Sequence, residues 1–225
     1  MRSAVPVYLE LGTKRVFAAA LDWPGWCRSG PDEDQALRTL LDYAPRYARA
    51  VSKAARGFAA PADLKGLRVV ERLPGDATTD FGAPGAVPEA DGKALSEAEL
   101  DRLLPVLTAC WDAFDATAQG ATSKTLRPGP RGGGRDAKRM QAHVLDADAA
   151  YVGQLGGRFR SAGQEVGAEL RRMHEVFIET LRLRIRGELP AVGPRGGARW
   201  SPRYAVRRSA WHALDHAWEI EDRSG

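Results

Sequence analysis

Residues 202–222, PRYAVRRSAWHALDHAWEIED, hold the pattern that decides the fold of the larger part of this chain. We predict one helix here, from Pro202 to about Asp222. His212 and His216 are four residues apart, so on a helix their Cβ atoms lie about 5–6 Å apart on one face. Two imidazole nitrogens placed in this way can bind one cation at about 2.0–2.1 Å each. Chance also places HxxxH on many helices, where such histidines are ordinary polar residues.

Three more helices are predicted before this one. Ser96 begins a capping box, followed by residues with one apolar face. Pro105 inside that face predicts either a kink or a later start. A second helix is predicted at about 135–156 and a third at about 163–186. Four helices joined by such connections favour an antiparallel four-helix bundle over residues 95–225.

A third metal ligand must come from a different helix, because three imidazoles on one short helix cannot converge on one ion. The other two histidines of the chain, His143 and His174, are the candidates. His143 lies on the second predicted helix among small neighbours. His174 adjoins the apolar stripe of the third helix and is equally typical of a hydrogen-bonded core histidine. The residues alone leave this choice open.

The first 74 residues predict a small α/β domain with the order β-β-α-β. Alternating apolar residues indicate a half-buried first strand, and Pro24-Gly25 ends the second, because proline has no N–H for the sheet. The predicted elements are strands at 7–11 and 16–21, a helix from 31 to about 57, and a strand at 67–73. Residues 75–94, rich in proline and glycine, are predicted to be an extended linker. The whole chain is therefore expected to be of the α+β class.

Composition places the chain among soluble globular proteins. It has 225 residues, of which 44% are hydrophobic and 28% charged. No apolar run approaches the roughly 20 residues of a membrane span, so we expect no membrane association and a cytoplasmic location. Two cysteines are too few for a disulfide scaffold. A net charge of +4 is too small to favour nucleic acid as the main partner.

The C-terminal stretch quoted above resembles the last helix of DinB-like four-helix-bundle proteins. The segment Ala142-His143-Val144-Leu145-Asp146, preceded by Leu126-Arg127-Pro128-Gly129-Pro130, is similar to the first metal-ligand region of that family. The resemblance covers about residues 95–225. It implies a divalent metal site with His143, His212 and His216 as ligands, and it leaves His174 structural. Where family members that transfer thiols often have Gly-Gln after the HxxxH motif, this chain has Ala217-Trp218.

The N-terminal domain resembles HicB-like domains over residues 1–74. The resemblance lies in a strand that leads through Pro24-Gly25-Trp26-Cys27-Arg28-Ser29-Gly30 to an acidic helix start. The match is short and implies a fold rather than an activity. It leaves open a second hypothesis, in which the chain is a non-catalytic binding or regulatory protein, with this domain contacting a partner such as nucleic acid and the bundle serving as a scaffold.

The DinB-like resemblance implies a metal-dependent enzyme acting on a small molecule. Zinc, nickel and iron all suit imidazole ligands. A divalent cation lowers the pKa of a coordinated thiol or water. We therefore expect thiol transfer or isomerisation with a low-molecular-weight thiol, and, as a further alternative, hydrolysis of a small ester or amide. A homodimer is compatible with the sequence.

Several other residues are candidates for supporting roles. A ligating histidine commonly donates its second N–H to a carboxylate. Glu219 is the best placed of the acidic residues near the ligands, the others being Asp146 and Asp215. Basic residues that could hold an anionic substrate are Arg139, Arg207 and Arg208. In the N-terminal domain Cys27 could be a reactive thiol, and Trp23 and Trp26 could stack on a base, although ordinary packing explains all three.

Overall fold

The computed structural model describes residues 4–52, 54, 57–129 and 134–224. This part of the chain holds one four-stranded sheet and eight α-helices, which confirms the α+β class. Contacts between Cα atoms divide the chain into two compact units, Met1–Lys93 and Ala94–Gly225. Among the described helices, none is both long enough and apolar enough to cross a membrane.

The first unit is built on a sheet whose strands are β1 (Val5–Leu11), β2 (Val16–Ala20), β3 (Cys27–Gly30) and β4 (Leu67–Pro74), the last preceded by a short 3-10 turn at Leu64–Gly66. Their order is β3-β2-β1-β4, with β1 parallel to β4 and the other pairs antiparallel. The predicted β-β-α-β order is wrong because it omits β3. Gly25, with φ of 92°, turns the chain back so that Cys27 pairs with Ala19. Four residues without alternation give no strand signal.

Two helices, α1 (Glu33–Asp42) and α2 (Ala44–Val51), stand where the sequence predicts a single helix reaching residue 57. Pro45 lies in the first turn of α2. Its nitrogen has no hydrogen to donate to the preceding turn, and its ring crowds that turn, so one continuous helix cannot form. Residues 53, 55 and 56, at the end of the predicted helix, lie outside the described part of the chain.

The segment at residues 75–94 holds two short helices, α3 (Ala77–Phe81) and α4 (Glu89–Gly92). Helix α3 begins with a capping box at Asp76 and ends at Gly82, whose φ of 118° suits glycine. The contacts of residues 75–93 assign them to the first unit, and Ala94 begins the second. The stretch is therefore not extended throughout, because part of it forms short helices that pack on a domain.

A buried carboxylate ties this segment to the sheet. Glu10 of β1 is 0% exposed. Its side chain accepts hydrogen bonds from the Thr79 hydroxyl and from the backbone N–H groups of Gly85 and Ala86, both at 2.9 Å. Three donors on one carboxylate offset the cost of its burial, because hydrogen bonds to a charged group are stronger than neutral ones.

The second unit contains four long helices, which are α5 (Glu97–Gly120), α6 (Ala137–Leu155), α7 (Val166–Ile185) and α8 (Pro202–Ser224). The predicted ends of the last three agree with these bounds to within three residues. The capping box at Ser96 and Glu99 is present, with each side chain bonded to the backbone of the other residue. Helix α5 runs through Pro105, so the alternative of a later start is wrong.

The helices of the second unit pack in pairs. Helix α5 packs along α8, and α6 packs along α7 and also contacts α8. The buried side chains between them include Leu107, Trp111 and Phe114 of α5 and Leu170, Met173 and Phe177 of α7. The contact between α6 and α8 brings side chains from two distant parts of the sequence to one place.

We expect the substitution Glu10→Ala to lower the free energy of unfolding by about 2–4 kcal/mol, because three donors lose their buried acceptor. Urea denaturation measures this change. The matched control is Glu33→Ala, since Glu33 forms an exposed ion pair with Arg72 at 3.0 Å and such pairs contribute at most about 1 kcal/mol. Equal effects of the two substitutions would contradict the role assigned to Glu10.

Candidate metal centre

Helix α8 carries two of the candidate ligands on one face. His212 and His216 are one helical turn apart, and their Nε2 atoms lie 3.1 Å from each other. The rings are inclined at 80°, with centroids 4.6 Å apart. Both side chains are largely enclosed, at 7% and 9% exposure. The i, i+4 spacing read from the sequence therefore places the two imidazoles side by side and pointing to a common location.

Helix α6 supplies the third imidazole. The Nε2 atom of His143 lies 3.3 Å from the Nε2 atom of His212. One ligand atom from each of the three histidines lies within 4.8 Å of the other two. The structure thus brings together the three residues that the resemblance implied.

The spacing of these nitrogens fits a metal ion. Nitrogens at about 2.0–2.1 Å from one tetrahedral zinc are about 3.3–3.4 Å apart, close to the distances of 3.1 and 3.3 Å measured here. Hydrogen bonding alone accounts less well for the cluster. The Nε2 atom of His212 carries either one hydrogen or one lone pair, so it cannot make two good hydrogen bonds to its two neighbours.

The electrostatic environment favours the neutral form of two of these rings, His143 and His212. Burial, together with the neighbouring His216 and Arg135, lowers the pKa of His143 to about 4. Burial also holds the pKa of His212 well below its ordinary value, with His216 and His143 adding to the effect. A neutral imidazole presents the lone pair that a metal requires, whereas a protonated one does not. At neutral pH His143 and His212 therefore present the lone pairs that a metal would need.

Glu219 contacts one of the three histidines. Its Oε2 atom lies 3.0 Å from Nδ1 of His216. The hydrogen bond to His216 lowers the pKa of the Glu219 carboxyl against the opposing effect of burial. An ionised carboxylate accepts the Nδ1–H hydrogen, which leaves the lone pair of His216 on Nε2, the atom that faces the other two rings.

Arg223 holds Glu219 in turn, and this residue was missed by sequence reasoning. Its guanidinium donates to Oε1 of Glu219 at 2.9 Å and to the carbonyl of Arg127 at 2.7 Å. The N–H of Arg127 donates back to the Arg223 carbonyl at 2.9 Å. The end of α8 is thereby tied to the segment after α5. An arginine four residues after Glu219 on a helix is the signal that could have identified it.

His174 lies elsewhere in the second unit. Its ring stacks on Trp111, with centroids 4.1 Å apart and an interplanar angle of 1°. Burial lowers its pKa to about 4. It is absent from the cluster of three histidines. Its position supports the reading of His174 as a structural residue.

Of the charged residues considered for binding a substrate or orienting a histidine, only some lie beside the cluster. Arg208 lies beside it, with its guanidinium carbon 4.6 Å from the centre of the Trp211 ring and 5.9 Å from that of Tyr151. Arg139 is exposed and paired with Asp136, and Arg207 is buried. Of the remaining acidic candidates, Asp146 is exposed and Asp215 is half-buried.

Tyr151 is a second residue that sequence reasoning missed. It is 9% exposed, and its ring centroid lies 6.0 Å from that of His212. Burial raises the pKa of its hydroxyl, so the phenol is neutral. Tyr151 follows His143 by eight residues, which is about two helical turns, so its place on the same side of α6 could have been inferred.

The candidates in the first unit are packing residues. Cys27 is 3% exposed. Trp23 and Trp26 contact the Phe58 ring edge to face, with centroids 5.1 and 5.3 Å away. The Trp26 indole also donates to the carbonyl of Leu40 at 2.8 Å. These contacts agree with the packing interpretation of all three residues rather than with a reactive thiol or a base-stacking surface.

Comparison with protein-family models, with curated proteins and with solved structures finds no match to this chain. The DinB-like and HicB-like resemblances therefore rest on the motif residues alone.

We expect His174 to make the protein less stable in acid. Its folded-state pKa of about 4 lies below the ordinary value of 6.5, so the unfolded chain takes up a proton first. This contribution is intact above pH 6.5 and is lost as the pH falls towards 4. The variant His174→Phe keeps a ring on Trp111 but cannot take up this proton. Between pH 6.5 and 4.5, chemical denaturation should show that the free energy of unfolding falls by roughly 1–3 kcal/mol less in this variant than in wild type. An equal fall in both proteins would contradict the effect assigned to His174.

Proposed function

We propose that this protein is a metal-dependent enzyme in which His143, His212 and His216 hold one divalent cation. The observation that carries the proposal is the approach of three imidazole nitrogens from two helices, at 3.1 and 3.3 Å. Three imidazoles with one coordination position left over are typical of catalytic rather than structural zinc sites. Zinc, nickel and iron suit this ligand set equally well.

We further infer that residues 95–225 form an antiparallel four-helix bundle of the DinB-like kind. Its four helices have the lengths and order of such a bundle, and α5 pairs with α8 while α6 pairs with α7. Metal sites in bundles are built from side chains on facing helices, as His143 on α6 and the HxxxH pair on α8 are here. The resemblance in the ligand segments supports the same architecture.

The proposed reaction is transfer or isomerisation of a small thiol compound. A divalent cation in this position supplies an electrophilic centre at which a thiol loses its proton more easily. The protein's own residues hold the site in shape: Glu219 fixes the ring of His216, and Arg223 fixes Glu219. The choice of a thiol over water as the reacting group rests on the resemblance.

Arg208 is the basic residue, among those considered for an anionic substrate, that lies beside the cluster. Its guanidinium lies over the rings of Tyr151 and Trp211, on the side of the cluster where Tyr151 approaches His212.

We expect the purified protein to bind about one equivalent of cobalt(II) or zinc(II), and His212→Ala to weaken that binding at least about 100-fold, because one of three ligands is lost. Chelator competition measures the affinity. The control is His174→Ala, which removes a histidine outside the cluster and should bind as wild type does. No binding by wild type, or equal losses in both variants, would contradict the proposed centre.

The cobalt-loaded protein also tests the proposed reaction class. Cysteine or glutathione added to it should produce a near-ultraviolet sulfur-to-cobalt charge-transfer band, which the His212→Ala variant should lack. The reacting thiol needs this coordination to lose its proton near neutral pH. A wild-type protein that binds cobalt but shows no such band at millimolar thiol would reject thiol transfer and leave the metal centre intact.

A further inference from the structure

A buried carboxylate lies between α5, α6 and α8 and has no role in the site described so far. Asp148 of α6 is 1% exposed. Its Oδ1 atom accepts a hydrogen bond from the Ser209 hydroxyl at 2.9 Å, and the Ser209 oxygen accepts one from the indole N–H of Trp111, also at 2.9 Å. Its Oδ2 atom is buried and has no hydrogen-bond partner among the described residues.

A second buried polar atom also lacks a hydrogen-bond partner. The Nδ1 atom of His212 is enclosed and lacks a hydrogen-bond partner within the described part of the chain. This differs from His216, whose Nδ1 atom meets Glu219 at 3.0 Å. Buried polar groups in folded proteins are nearly always satisfied by protein or by bound water. A ligating histidine in particular donates its second N–H to a carboxylate, a carbonyl or a water.

The two atoms are close to the same neighbours. Ser209, which bonds Asp148, precedes His212 by one turn of α8. Tyr151 follows Asp148 by one turn of α6, and its ring lies 6.0 Å from that of His212. Asp148 and His212 thus lie on the two helices that meet at the contact between α6 and α8, each about one helical turn from a residue that contacts the other's neighbourhood.

We propose that Asp148 is the positioning residue of His212, with its Oδ2 atom accepting the Nδ1–H hydrogen of His212 through one bound water molecule. This bond places the lone pair of His212 on Nε2, where it faces the other two ligands. It also fixes the ring angle, as Glu219 does for His216. The inference rests on the proposed metal centre and adds a residue that acts on the metal only through a ligand.

Asp115 of α5 is the competing partner for Asp148. Its Oδ1 atom is also buried without a hydrogen-bond partner in the described residues. Burial, together with the charge of Asp115 and against the hydrogen bond from Ser209, raises the pKa of Asp148 to about 7. Two carboxyl groups can share one proton. If they satisfy each other in this way, Asp148 leaves the His212 ring unsupported, and its substitution has no effect on metal binding.

The experiment compares wild type with Asp148→Asn and Asp148→Leu. The matched control is Asp146→Asn, an exposed carboxylate on the same helix, and Glu219→Gln serves as the comparator for a known partner of a ligand. Three quantities are measured: the cobalt(II) and zinc(II) affinities by chelator competition, the visible absorption of the cobalt form, and the free energy of unfolding of the metal-free protein. The asparagine variant keeps the side chain's shape, so it remains informative even if the leucine variant does not fold.

We expect Asp148→Asn to weaken metal binding by about 10–100-fold, comparable with Glu219→Gln, and Asp148→Leu to weaken it more. The visible bands of the cobalt form should shift. The metal-free asparagine variant should be no less stable at pH 7, because an amide avoids the desolvation of an ionised carboxylate.

Three outcomes would overturn the inference. Metal affinity in Asp148→Asn equal to that of the Asp146→Asn control removes the role of Asp148 and leaves the metal centre standing. A loss of metal-free stability without a change in the cobalt spectrum assigns Asp148 a purely structural role. Failure of wild type itself to bind metal overturns the proposed function, and this inference with it.

Discussion

The convergence of three imidazole nitrogens is the constraint on which the rest of the second unit depends. Nitrogens 3.1 and 3.3 Å apart repel one another if all present lone pairs, and more strongly if the rings are charged. In the proposed centre, a divalent cation between the nitrogens would turn that repulsion into coordination. Metal binding is therefore expected to stabilise the contact between α6 and α8.

The surrounding residues hold this arrangement through a series of hydrogen bonds. Glu219 bonds His216, Arg223 bonds Glu219, and the backbone of Arg127 closes the chain of interactions at the end of α8. On the opposite side, Ser209 connects Asp148 to the indole of Trp111. Asp148 and Ser209 are each 1% exposed, so they would be costly to bury without hydrogen-bond partners.

Much of the second unit could be predicted because its signals are local. Helix ends follow from caps and apolar periodicity, and the pairing of His212 with His216 follows from their spacing on one helix. The third ligand could not be chosen from the residues, since whether His143 or His174 meets the pair depends on which helix contacts α8. The stacking of His174 on Trp111, which places His174 outside the cluster, is likewise a tertiary contact that the sequence does not show. Strand β3 was missed because it has only four residues and is held by pairing with β2. The break between α1 and α2 at Pro45 was missed because both helices are short.

The most direct test of the account is X-ray absorption spectroscopy of the zinc-loaded protein. The account predicts one zinc per chain, with three imidazole nitrogens at about 2.0–2.1 Å and at least one light-atom ligand that is not histidine. Zinc bound through sulfur, zinc with fewer than three imidazole ligands, or the absence of any bound zinc would contradict it.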